Sequence, residues 1–158
     1  MKFTKDFDLV RLTHSDTATR NHIEEQFNPP QTVIANLNLL ANKILQPLKD
    51  GMGDFFVTCA YRCPAVNKTV GGAASSQHLV GEAADLVLTN GANITIAKKI
   101  LELNLPFDQM IIEGGTLAKP NWIHVSYSGR NRRQILRADF TTGTAVYTVL
   151  TKEQIIAI

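Results

Sequence analysis

Behind Pro29-Pro30 and ahead of Gly51, the apolar residues Val33, Ile34, Leu37, Leu40, Ala41, Ile44, Leu45 and Leu48 recur at three- and four-residue spacing. That period belongs to an α-helix, and it predicts an amphipathic helix over 31–49 with Gly51 as its stop. A stripe this continuous faces a core, so the rest of the chain has to supply the layer that covers it. Shorter helices are expected from about Ser15 to Glu24 and from Asn93 to Leu103, the latter entered after Gly91 and closed by Asn104 and Pro106. The covering layer reads as strands at Phe55–Cys59, Ala84–Leu88, Met110–Ile112 and Trp122–Tyr127, then a hairpin of Gln134–Phe140 and Ala145–Leu150 around Thr142-Gly143. Thr151 and Gln154 form a capping box for a last helical turn. Helices early, strands late and one helix between them argue for an α+β fold, a central mostly antiparallel sheet flanked by helices. Parallel βαβ alternation is not evident.

At 158 residues, with no repeat, linker or low-complexity tract, residues 1–158 read as a single domain. Folding such a chain buries about two-thirds of the surface of its unfolded form, so neither a disulfide nor a structural metal is needed for stability. A net charge of +2 is too small to argue for nucleic acid, and basic residues are not interleaved with aromatics as a nucleic-acid groove requires. Nowhere do eighteen apolar residues follow one another, and Met1–Asp8 has no apolar run of the kind a signal peptide carries. The expectation is a product made in the cytoplasm without a signal peptide. Cys59 and Cys63 read as two unpaired thiols, one packed at a strand end, since Cys-x3-Cys without a second pair is a weak zinc signal.

The chemistry concentrates in Ser76-Gln77-His78-Leu79-Val80-Gly81-Glu82-Ala83-Ala84-Asp85 and, about forty residues later, Trp122-Ile123-His124-Val125-Ser126. Catalytic zinc takes three protein ligands and keeps an open position for water; His78, Asp85 and His124 supply such a set. Side chains two apart on a strand share a face, so Asp85 lies with Ala83 and Val87, and His124 with Ser126. If the two strands are neighbours, Asp85 and His124 project into one cleft, and His78 reaches back through the turn that Gly81 permits. Two neutral imidazoles and one carboxylate leave zinc a net positive charge, which acidifies bound water and suits amide hydrolysis. His14 and His22, in the polar N-terminal helix region, are read as ordinary surface histidines.

The pattern Ser76-x-His78-x-x-Gly81-x-Ala83-x-Asp85 resembles, at every fixed position, the first zinc motif of the D-Ala-D-Ala carboxypeptidase and L-alanyl-D-glutamate peptidase superfamily, whose fold is shared with hedgehog domains. Trp122–Ser126 resembles its second motif, and Ala60-Tyr61-Arg62-Cys63-Pro64-Ala65-Val66-Asn67 with Gly71-Gly72 its upstream segment. Phe107–Glu113 and Asn131-Arg132-Arg133 look like the phage and prophage branch of peptidoglycan peptidases. The resemblance implies Zn²⁺ at His78, Asp85 and His124, and it places Arg62 near the substrate. Arginine matches carboxylates bidentately, and peptidoglycan stem peptides carry carboxylates at D-Glu and at their C-termini. The alternative for Arg62 is an ion pair holding a loop; Ser76 either binds substrate or caps the turn.

One position departs from the pattern. Well-known members carry an acid three residues before the last zinc histidine, and here that position is Asn121, which cannot take a proton. Glu113, at a strand end beside Gly114-Gly115, is the expected general base, with Asp108 the weaker candidate and a surface role for Glu113 the alternative. Arg130, Arg132, Arg133 and Arg137 form either a solvated hairpin entry or a cleft wall that attracts anionic cell-wall material. The expected activity is zinc-dependent hydrolysis of peptide bonds in peptidoglycan stem peptides at the bacterial cell wall, as a carboxypeptidase or an endopeptidase. The rival is a catalytically silent, zinc-stabilised module that binds cell wall or a protein partner. Oligomeric state has no signature in the sequence.

Overall fold

The computed structural model describes all 158 residues. The helical elements are α1 (Leu9–Thr13), α2 (Asp16–Asn21), α3 (Gln31–Leu40), α4 (Gln46–Met52), α5 (Pro64–Thr69), α6 (Ile94–Glu102) and α7 (Lys152–Ile156). Six strands, β1 (Phe56–Cys59), β2 (Ala83–Val87), β3 (Gln109–Glu113), β4 (Trp122–Ser126), β5 (Gln134–Asp139) and β6 (Val146–Leu150), form one sheet in the order β1-β2-β4-β3-β5-β6. Every neighbouring pair is antiparallel except β3 and β5, which run parallel. The expected α+β class and mostly antiparallel sheet are therefore found. The parallel pair arises because β5 returns to the far side of β3 after the β3–β4 hairpin.

The long helix spans Gln31–Met52 through a π-helical turn at Ala41–Leu45, where the Gln46 amide donates to the Ala41 carbonyl five residues back. Pro47 explains the turn. A proline in a helix removes one hydrogen bond and crowds the preceding turn, and the widened π turn lets the helix continue through it. Gly51 is not the stop: the helix runs on to Met52, and a Cβ at Gly51 would lie 2.6 Å from Leu103 Cδ1. Glycine is there to admit the neighbouring side chain.

Val33, Leu37, Leu40, Ala41, Ile44, Leu45 and Leu48 are buried, as are Ala84 and Leu86 on β2, Met110 and Ile112 on β3, Ile123 and Val125 on β4, and Ile135 on β5. All belong to one cluster of 30 core residues, so alternate residues of the central strands are committed to the helical layer. The intervening residues occupy the opposite face. α2 starts at its Ser15 cap and ends at His22 in a left-handed conformation, followed by a 3₁₀ turn at Glu24–Phe27. α1 and α5 are too short to show a helical period in sequence; α5 is capped by Cys63 Sγ, which accepts from the Val66 amide.

Candidate active site

One row of cross-strand partners traverses the second face: Cys59 opposite Asp85, Asp85 opposite His124, His124 opposite Ile111, and Ile111 opposite Leu136. Trp122 and Glu113 are partners in the next row. β2 and β4 are thus the neighbours that the sequence reading required. His124 Nδ1 lies 3.0 Å and His78 Nε2 3.2 Å from Asp85 Oδ1. Tetrahedral ligation at about 2.1 Å separates ligand atoms by about 3.4 Å, so each histidine–Asp85 spacing suits a shared ion, while neither set of three ligand atoms gathered within 4.8 Å holds both histidines.

His78 is held by a 3₁₀ turn, Gln77–Val80, that ends at Gly81 with φ 73°. A side chain at Gly81 would be strained at that φ and would meet the Val33 carbonyl of the long helix at 2.9 Å. The His78 ring nitrogen Nδ1 lies 2.6 Å from the Ala60 carbonyl. A carbonyl only accepts, so Nδ1 donates a proton to it and Nε2 is the nitrogen turned to Asp85. Nε2 is thus free of the backbone to serve as a metal ligand beside Asp85, and a backbone carbonyl behind the imidazole is the support metal-bound histidines commonly have. Burial alone raises the Asp85 carboxyl's pKa, but the two imidazoles and their hydrogen bonds hold it well below the usual carboxylate range.

Glu113 Oε1 lies 3.9 Å from His124 Nδ1, and its side chain is 13% exposed. Burial pushes its pKa up; the charge of Asp85 adds to that and His124 opposes it. Two groups could hold a metal ion, Cys59-His78-Asp85 and Asp85-Glu113-His124, and Asp85 is common to both. Burial, reinforced by Asp85, pushes the Cys59 thiol up to about 12, so at neutral pH Cys59 is a neutral thiol. Both cysteines are free, with Cys59 at the end of β1, as expected.

Ser76 Oγ accepts from the His78 amide at 3.3 Å and from Arg62 Nη2 at 3.1 Å, so it caps the turn and also positions the arginine. Arg62 Nε is buried without a partner. Arg62, Ser76, His78, Asp85, Glu113 and His124 all line one cleft of about 690 Å³. Trp122, Gln109, Phe140 and Tyr147 line it too. Sequence reasoning assigned these four no role; β6 is exposed from Val146 through Val149, so no alternation along it singles out Tyr147.

Asp108 is not available as a base. It is fully buried and accepts from Arg132 Nε at 3.0 Å, Arg132 Nη2 at 2.7 Å, the Arg132 amide at 2.9 Å and Gln77 Nε2 at 3.0 Å. It thereby ties the turn that carries His78 to the loop before β5. The arginine cluster is structural in the same way. Arg130 pairs with Glu82, Arg133 donates to the Leu105 carbonyl and stacks on Phe107, and Arg137 donates to the Ile112, Gly114 and Gly115 carbonyls. None of the four lines the central cleft. Asn121 packs over the Gly114-Gly115 turn, and its amide donates to the Glu113 carbonyl at 2.8 Å.

No helix is long and apolar enough to cross a membrane. No curated protein matches the chain. The family model described as Peptidase M15 matches residues 9–126, a span that contains Arg62, Ser76, His78, Asp85, Glu113 and His124 and stops before the β5–β6 hairpin. With three-quarters of its length matched, the chain belongs to the peptidase M15 family.

Proposed function

We propose that residues 1–158 form a single zinc peptidase domain that hydrolyses peptide bonds in peptidoglycan stem peptides and acts at the bacterial cell wall. The observation that carries this reading is the meeting of His78 Nε2 and His124 Nδ1 on Asp85 Oδ1, with Glu113 beside them. His78, Asp85 and His124 would hold the ion. Zinc in that position supplies a Lewis acid for the scissile carbonyl and lowers the pKa of a water toward about 7.

The remaining chemistry is assigned to the chain's own side chains. Glu113 accepts a proton from the attacking water as the oxygen adds to the carbonyl carbon, and passes that proton to the leaving nitrogen as the C–N bond breaks. Its burial favours the role, since a carboxyl whose pKa is raised is a better base and, once protonated, a workable acid. Arg62 holds a substrate carboxylate through the donors that Ser76 does not occupy. The silent-module alternative rested on Asn121, and a carboxylate on the neighbouring strand removes its main support.

The test is digestion of purified peptidoglycan by zinc-loaded protein, read by mass spectrometry for new amino and carboxyl termini, against a His124→Ala control. Defined stem-peptide fragments absent from the control are expected. Zinc bound at one ion per chain with no new termini would overturn the reading.

A further inference from the structure

A second cleft, of about 570 Å³, lies against the edge strand β1 and is lined by Arg20, Phe56 and Tyr61 among others. It shares Arg62, Val70 and Asp85 with the central cleft. The proposed metal-binding carboxylate therefore stands where the two clefts meet. From that junction the central cleft runs the other way across β4 and β3 to Trp122, Phe140 and Tyr147, the last two from the hairpin beyond the family match. Each volume falls within the usual range of ligand sites, about 300–1,000 Å³.

A site that releases one terminal residue is closed next to its reacting centre, with a cation there to hold the terminal carboxylate. Arg62 is the one lysine or arginine that lines the central cleft, and it lines the second cleft as well. It flanks a passage. A carboxylate held there belongs to a residue from which the peptide can continue toward β1. Phe56 and Val70, 53% and 47% exposed, give that continuation apolar surface, and Arg20 adds a charge.

We infer that the protein is an endopeptidase whose substrate crosses the sheet, occupying the β1 cleft on one side of the scissile bond and the Trp122–Phe140–Tyr147 cleft on the other. This rests on the peptidase reading above and specifies its substrate as an extended peptide with an internal carboxylate at Arg62.

Trp122 is the chain's one tryptophan and lines the cleft, so its fluorescence reports occupancy. The probes are a synthetic D-Glu-containing tetrapeptide and the same peptide lengthened by two alanines at each end. With zinc-loaded Glu113→Gln protein, the long peptide should bind at least ten-fold tighter than the short one. Adding Phe56→Ser and Arg20→Gln, both outside the catalytic machinery, should remove most of that gain and leave the short peptide's Kd unchanged. Wild-type protein should cut the long peptide internally. Release of single residues from the carboxyl end, or equal affinity for both lengths, overturns the inference. Tighter binding of the long peptide with no cleavage of either would leave the groove standing and remove the peptidase reading instead.

Discussion

Gln26 gives the most demanding test of how the loop that bears Arg62 is held. Its side chain is fully buried; Nε2 donates to the Thr13 carbonyl at 2.9 Å and to the Tyr61 carbonyl at 2.8 Å, and Oε1 accepts from the Cys63 amide at 2.8 Å. Residues 61 and 63 bracket Arg62, so one amide group fixes the backbone on both sides of the proposed substrate anchor. Gln26→Leu keeps the volume and strands three buried polar groups. Each unsatisfied group costs about 1–3 kcal/mol; at the low end of that range the three together cost roughly 3 kcal/mol. Leucine's added apolar area offsets about 1 kcal/mol, leaving a net loss of about 2 kcal/mol. For a chain of this length each kcal/mol moves Tm by about 2–4 °C, so thermal unfolding followed by circular dichroism should show a fall of about 4–8 °C. Below its own unfolding range the variant should also show a raised KM with kcat much less affected, because the metal-side residues are untouched. A Tm within about 2 °C of wild type would refute the reasoning.

Glu113→Gln should lower kcat by about 10²–10⁴ with zinc content unchanged, as measured by steady-state kinetics beside metal analysis; a wild-type rate would remove Glu113 as the base. The Asp108 carboxyl, which burial alone would raise, is held well below its ordinary range by Arg132. A depressed folded-state pKa gives stability that is present above the unfolded value of about 3.9 and is lost as pH falls toward the folded one. Urea unfolding of wild type should therefore weaken steeply below about pH 4, and Asp108→Asn should flatten that part of the profile while being less stable at pH 7. Chelating zinc from protein held at about 100 times its Kd should remove about 2.7 kcal/mol and lower Tm by about 5–11 °C, a shift that His124→Ala should not show.

The long helix, the strands and the faces that carry Asp85 and His124 were legible because period and face parity are local properties of the sequence, whereas the pairing of β2 with β4 was a condition that the fold supplies. The turn carrying His78 was legible too, through Gly81. Less was visible where tertiary partners decide. The π turn depends on Pro47 within an otherwise regular stripe, and the helix ends at Gly53, with φ 87°, rather than at Gly51, where Leu103 packs against it. Glu113 was named from its strand end and glycines, yet its place near His124 follows from β3 and β4 sharing an edge in register. The arginine run suggested a solvated hairpin entry or, alternatively, a cleft wall. It instead satisfies carbonyls and carboxylates around β5, which only the fold's closure brings within reach. Gln26 carried no motif and Asp108 was read only as a weaker base, because each one's partners are more than ten residues away in sequence.

Anomalous diffraction at the zinc edge, from crystals grown with zinc, tests the proposed centre most directly. The account predicts one peak at about 2.0–2.2 Å from His78 Nε2, an Asp85 carboxylate oxygen and His124 Nδ1, with Glu113 near it but not bound. A peak on Cys59 Sγ, His78 and Asp85, leaving His124 free, would contradict it.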